Sequence, residues 1–451
     1  MKRRTLLKAS GLPMLAGLGA AGLFATLNDG IAASSGDYRA LVCLFLNGGN
    51  DGHNTLVPTD GAYGDYSAAR PILALPKDSL VALTGSSAGH SFGLHSALSP
   101  IAPLYNEGRL AWIANAGPLI VPATAEQVID HAVAIPPFLM SHSDQVAMQQ
   151  GWGGDAEQSG WAGRGLEYFN SSLVNVLNAV TMDSNRTLVL GKNSTVSFMN
   201  PGGSRYWGRA DLAQPQSYWS QALNNMAKWQ FTNAYEAEYS RTFGASVAES
   251  TLLTQAFLQA KAPTSNFGSG ELADKLRSLA SVMPVFKSMG YRRQIFLVGW
   301  GGFDTHYGQR GTDSRTQDAQ LDVVGRAVAA FDQSNRASGL NLDVTTLMMS
   351  DFGRTLRPAS GAGSDHAWGN HWFVLGGAVA GGQVVGQFPS LVLGGRDDGD
   401  INRGGRMVPT TSTEQVGATL MQWMGLPASA QASVFPTLAN FPVKTLNLMK
   451  V

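Results

Sequence analysis

Several apolar runs in this chain are the length of a strand, and most stop at glycine, aspartate or asparagine. Residues 41–46 (Leu-Val-Cys-Leu-Phe-Leu) are apolar at every position. Such a run predicts a strand buried on both faces, as in a parallel sheet. Residues 110–116, 294–299, 343–349 and 372–375 are further strand-length runs, mostly apolar but broken by polar residues such as Gln294, Asp343, Thr345 and Thr346. Residues 174–183 and 187–190 read as further strands, with 196–199 a weaker one.

Helical spacing alternates with these runs. Leu321, Val324, Ala327, Val328 and Phe331 share one face of a helix over 316–334. Residues 413–424 predict a helix started by Ser412 or Thr413, and a helix beginning near Asp144 takes Ser141 or Ser143 as its cap. Residues 96–105 predict a short helix despite two prolines, and 160–165 open another. From 216 to about 290 the chain turns polar and Ala/Gln-rich. Helices are expected there over 218–245, 249–260 and 272–289, as a helical insertion or covering layer. The alternation predicts a single α/β domain over 34–451, a mostly parallel sheet sandwiched by helices.

The N-terminus changes the picture of where the protein works. Lys2-Arg3-Arg4-Thr5-Leu6-Leu7-Lys8 precedes an apolar, Gly/Ala-rich stretch and the small residues Gly30 to Ala33. This pattern predicts a twin-arginine signal peptide over 1–33, so the twin-arginine export machinery is an expected partner and the periplasm or exterior the expected location. The leader holds four of the 32 basic residues and one of the 32 acidic ones. The remainder is therefore slightly acidic, without the basic footprint that nucleic acid or anionic lipid requires. No later stretch is long and apolar enough to span a membrane. Cys43, the single cysteine, lies inside an apolar run and has no partner for an intramolecular disulfide.

The candidate chemistry sits at the ends of the strands, where open α/β sheets bind ligands. The run 41–46 leads into Asn47-Gly-Gly-Asn-Asp51-Gly-His53-Asn54. The run 294–299 leads into Trp300-Gly-Gly-Phe-Asp304-Thr-His306, and 343–350 into Asp351-Phe-Gly-Arg354. Ser364-Asp365-His366 precedes its strand instead, so its placement relative to the other loops is open. Carboxylates and imidazoles of this kind suit zinc and other divalent metals. Asp51, Asp304, His306, Asp351 and His366 are the candidate ligands. Asp51 also reads as a turn residue, with its place after the first strand favouring the ligand reading, and Arg354 either clamps an anion or shapes its loop by an ion pair. His371 is expected to pack beside Trp368 and Trp372. Ser141 or Ser143, at a helix start, is either a nucleophile or a plain cap. There is no Gly-x-Ser-x-Gly elbow near a strand.

Phe45-Leu-Asn-Gly-Gly-Asn-Asp-Gly52, Ser141-His142, Gly160-Trp-Ala-Gly-Arg164, Asp351-Phe-Gly-Arg-Thr355, Ser364-Asp-His366 and the Gly376-Gly377 to Gly386 segment occur in that order behind the leader. As a set they resemble a bacterial exported domain-of-unknown-function family (number fifteen-oh-one). That family is similar to a distant branch of the alkaline phosphatase and sulfatase superfamily. The resemblance implies an alkaline-phosphatase-like core and an exported hydrolase of phosphate or sulfate esters. It implies one or two divalent ions (zinc, calcium or magnesium), or a degenerate site with none. Asp51, Asp304, His306, Asp351 and His366 would hold metal, Ser141 would attack, and Arg354 would neutralise the ester's oxygens. His306 would be a ligand or a general acid. The expected substrate is a small-molecule, glycan or lipid-linked ester. The departures are Phe352, where the superfamily places His after the strand-end Asp, and the short Asp304-Thr-His306 spacing. The rival expectation is a non-catalytic exported protein that binds a glycan or a second protein through 216–290.

Overall fold

The computed structural model describes residues 37–151, 158–169, 176–194, 196–203, 214 and 216–450. The expected signal peptide lies outside the described residues. Ser35–Ser204 together with Ala256–Val451 form one compact unit, and Arg205–Gln255 belong to another.

The larger unit is built on twelve described strands: β1 (Arg39–Leu46), β2 (Leu56–Pro58), β3 (Val81–Ser87), β4 (His90–Leu94), β5 (Leu110–Gly117), β6 (Ala179–Thr181), β7 (Ser197–Phe198), β8 (Arg293–Trp300), β9 (Val344–Ser350), β10 (Asn370–Gly376), β11 (Gln383–Val385) and β12 (Thr411–Ser412). Among the described residues the main sheet has the order β11-β5-β10-β9-β1-β8-β6-β7, with β12 also pairing β5. Only β10 runs antiparallel to its neighbours; the other pairings are parallel. A small antiparallel sheet, β2-β4-β3, stands beside it, and its segments carry no strong alternation in the sequence.

Burial of β1 follows from its composition. Leu41, Cys43 and Phe45 join a core with Ile295, Leu297, Leu347, Met349, Trp372 and Val374. The helices Trp161–Leu166 and Thr413–Met424 cover that face with Trp161, Leu166, Val416 and Met421. Alternate positions point to the other face, where Ala40, Val42, Leu44, Phe296 and Val298 are also fully buried. There the helix Glu271–Ser288 lies against β8, and the helix Gln317–Ala337 packs against Glu271–Ser288. The protein is thus an α/β fold with a mostly parallel sheet flanked by helices.

Two features of the sheet set up the site. Leu46 is level with Trp300 on one side and Ser350 on the other, so β1, β8 and β9 end on one rim. β10 begins at that rim because it runs the opposite way, with Phe373 opposite Met348 and Gly376 opposite Thr345. The loop before β10 therefore reaches the same place as the loops after the other three.

Several local expectations differ from the structure. Thr187–Val189 is a 3-10 turn rather than a strand: Thr181 Oγ1 bonds the carbonyls of Asp183 and Asn185, turning the chain there. Of 174–183, only Ala179–Thr181 is strand among the described residues. Residues 96–105 split into a turn, Ser96–Leu98, and a short helix, Ala102–Asn106, with Pro103 tolerated in its first turn. The helix expected from Asp144 begins at His142. Of the helices expected over 218–260, the structure forms Tyr218–Met226 and Ala234–Gln259. Asn233 Oδ1 accepts from the N–H groups of Tyr235 and Glu236, so the second helix starts there. Ser412 caps Thr413–Met424 in a capping box with Gln415, as the sequence indicates.

Candidate metal centre

The turn after β1 is tight. Gly48 and Gly49 have φ of +113° and +83°. A Cβ on Gly48 would lie 2.5 Å from the Asp304 nitrogen, and one on Gly49 would lie 2.4 Å from the Phe352 ring. Only glycine lets this turn pass under both neighbouring loops. Arg354, without exposed side-chain surface, then fastens the loops together. Its Nε donates to Gly49 O (2.8 Å) and its Nη1 to Ser364 O (2.9 Å). Its Nη2 donates to Gly48 O (2.5 Å), Phe303 O (3.1 Å) and Asp304 Oδ1 (2.5 Å). All four rim loops meet on this one guanidinium.

Four side chains converge above it. Asp304 Oδ1 lies 3.2 Å from His366 Nε2, 3.1 Å from His306 Nε2 and 3.6 Å from His142 Nε2. The nitrogens of His306 and His366 are 2.9 Å apart. Ligand atoms of His142, Asp304 and His366 all lie within 4.8 Å of one another. Each imidazole has an outer acceptor at Nδ1: Asp351 Oδ2 for His142 (2.7 Å), Asp365 Oδ1 for His306 (3.1 Å) and Met140 O for His366 (2.8 Å). An Nδ1–H held this way leaves Nε2 to face the cluster.

The charges respond to this crowding. Burial works against ionising Asp304, yet the hydrogen bond and charge of Arg354, then His366 and His306, bring it down to about 2. The bond to Asp351 raises His142, outweighing its partial burial. Burial lowers His366, with the charge of Arg354 adding to the effect against the Met140 carbonyl.

The structure brings together Asp304, His306 and His366 from the sequence candidates and adds His142. Asp351 stands directly behind His142, taking the Gly48 N–H on its other oxygen (3.0 Å). Asp51 does not reach the cluster. Its carboxylate is buried, paired with Arg70 and bonded by Gln309 Nε2 (2.6 Å) and the His53 N–H (3.0 Å). Arg70 lies in a stretch without periodicity, so nothing in the sequence pointed to it. Ser141 Oγ donates to Asp144 Oδ2 (2.5 Å) and lies 3.2 Å from Ser143 Oγ; neither serine caps the helix with its side chain. His371 stacks on Phe388 (4.8 Å, 17°) and meets His53 edge-on. Burial pushes His53 and His371 down to about 3, so both are neutral. His142 carried one sequence signal, an imidazole at a helix start beside two serines. A separate cavity of about 1260 Å³, lined by His90, Glu126, Phe388 and Arg403 among others, includes none of the cluster's side chains.

No curated protein matches the sequence. Among solved structures, the chain is similar to the lipoteichoic acid synthase LtaP from Listeria monocytogenes, at 9% identity and a TM-score of 0.34 over 90% of this chain and 79% of that one. It is similar at 9% identity and a TM-score of 0.34 to a protein in the alkaline phosphatase superfamily from Vibrio parahaemolyticus, over 87% of this chain and 67% of that one. The PsFucS1 sulfatase from Pseudoalteromonas sp. is similar at 9% identity and a TM-score of 0.28, over 81% and 67% of the two chains. Likeness at this level says nothing about activity. Sequence membership is firmer, because residues 38–397, most of the chain, match one family throughout. The chain belongs to the family described as "Protein of unknown function (DUF1501)".

Proposed function

We propose that the protein is a metal-dependent hydrolase of phosphate or sulfate esters that acts outside the cytoplasm after twin-arginine export. The observation that carries the reading is the convergence of His142, Asp304 and His366, with both imidazoles turned inward by outer partners. Two nitrogens and one carboxylate fit the donor set of a catalytic zinc site, which keeps its fourth position for water or substrate. The same set is poor for calcium or magnesium, which favour oxygen ligands throughout. The ester class rests on the resemblance of the ordered motifs to the phosphatase and sulfatase superfamily.

When bound, the ion would polarise the ester and offset charge on its oxygens. The chain's own groups supply the proton transfers. Ser141 Oγ forms the new bond to phosphorus or sulfur and passes its proton to Asp144, 2.5 Å away. His306, with Asp365 on one nitrogen and Asp304 on the other, gives a proton to the departing alcohol oxygen. Water then cleaves the serine ester, His306 takes up the water's proton, and Asp144 returns its proton to Ser141. In this reading Arg354 holds Asp304 in place rather than meeting substrate, since its guanidinium is sealed among loop carbonyls. Asp51 and Asp351 are likewise supports rather than ligands.

The test is hydrolysis of aryl phosphate and aryl sulfate by protein of measured metal content. Ser141→Ala should keep the metal and lose turnover. A metal-loaded protein that turns over neither ester contradicts the hydrolase reading.

A further inference from the structure

Between the helix Ala125–Ile129 and the helix His142–Gln150, residues 131–141 cross to the metal cluster without helix or strand. Three non-glycine residues in this stretch, His131, Phe138 and Met140, hold φ of 53°, 53° and 70°. L-residues adopt that region at a cost of roughly 1–2 kcal/mol each. Among the described residues, the N–H groups of Val133 to Ile135 and of Phe138 and Leu139 make no hydrogen bond. Phe138 is 74% exposed and Ile135 is 37% exposed. The stretch is thus strained, thinly bonded and partly apolar on its outside.

At its start the N–H groups of His131 and Ala132 donate to Val128 O (3.2 Å) and Gln127 O (2.8 Å); the rest of its anchorage lies at its C-terminal end. Leu139 packs against the small core of Leu119, Trp368 and Val408. Met140 N–H donates to Gln145 Oε1 (2.7 Å), and Met140 O accepts from His366 Nδ1 (2.8 Å). Two residues later comes His142, whose ring meets that of His366 edge-on with centroids 4.5 Å apart. The strap therefore meets the cluster twice, through a carbonyl that orients one imidazole and through the residue that supplies another.

We propose that residues 131–141 form a strap that metal binding at His142 and His366 locks down and that loosens when the metal leaves. The inference rests on the metal reading of the cluster. With an ion between them, His366 cannot turn and His142 cannot swing away, so the Met140 bond persists. Without it, the strain at Phe138 and Met140 is opposed by the Leu139 packing, the Gln145 contact, the Ser141 N–H bond to Phe138 O (3.4 Å) and the single His366 bond to Met140 O.

The experiment is timed chymotrypsin digestion of the full mature protein, zinc-loaded, chelated, and chelated then reloaded with zinc, with metal content measured on the same samples. The expected result is cleavage after Phe138 about tenfold faster on chelation and restored by zinc, in keeping with a local opening shifted by about 1.4 kcal/mol. Cleavage after Tyr235 and Tyr239, which are also exposed, should keep its rate. Stoichiometric zinc with unchanged cleavage at Phe138 overturns the strap and leaves the metal site standing. Parallel acceleration at all three sites also overturns it, as general loosening. Failure to bind zinc under any loading overturns both the strap and the metal reading.

Discussion

Replacing Asp351 by Asn separates two accounts of the cluster. As a direct ligand, the role its strand-end position suggests, Asp351 would be needed for binding outright. The structure instead places it behind His142, with Oδ2 2.7 Å from Nδ1 and Oδ1 taking the Gly48 N–H at 3.0 Å. Asn offers one carbonyl oxygen for these two donors, and its own N–H₂ then faces the other. One contact and the buried charge are lost, while the side-chain shape is kept. Outer carboxylates that hold a metal-binding imidazole typically contribute about 10–100-fold to affinity, or about 1.4–2.7 kcal/mol. A zinc titration against a chromophoric competitor chelator near neutral pH reads this directly. Weakening within that range, with stoichiometry unchanged, is expected. Complete loss of binding would make Asp351 a ligand after all, and an unchanged affinity would refute its orienting role.

Asp51→Asn should act on stability rather than on metal. It leaves Arg70 buried without its charge partner, a change that typically costs about 3–5 kcal/mol. Urea unfolding should show that loss while zinc affinity holds; weakened zinc binding without a stability change would return Asp51 to the ligand set. Glu414 gives a pH test remote from the ligands. Burial lifts its carboxyl from 4.5 to about 7, against bonds from Thr437 and Leu438 that favour the ionised form. A raised carboxyl contributes stability fully below its ordinary range and loses it as pH rises through about 7. Glu414→Gln should therefore gain on the parent protein in thermal melts as pH rises through that window, by at most roughly 3 kcal/mol. A difference between the two proteins that stays constant with pH would contradict the burial argument.

The parts of the fold that were legible share one property: both faces of the element are buried. β1, β8 and β9 are buried at nearly every position and carry a run of apolar residues on both faces, so their identity survives without strict alternation. Strand direction is not written that way. β10 has the same composition whether it runs up or down, and its antiparallel pairing with β5 and β9 decides where Asp365 and His366 arrive. Candidate ligands were readable as residue types at strand ends, which is how Asp304, His306 and His366 were found. Competition for each carboxylate was not readable. Asp51 faces Arg70, 19 residues on, and Gln309, 258 residues on. Arg354 was read beside its near neighbour Asp351 but pairs with Asp304 across the rim. The serines on either side of His142 point to capping and nucleophilic chemistry, which masks its imidazole as a ligand.

Elemental analysis of the mature protein, purified after native export, tests the central claim most directly. One zinc-type ion per chain is expected, absent from His142→Ala and His366→Ala and retained in Asp51→Asn. A protein without metal under every loading condition, or an ion that survives loss of both histidines, would contradict the site described here.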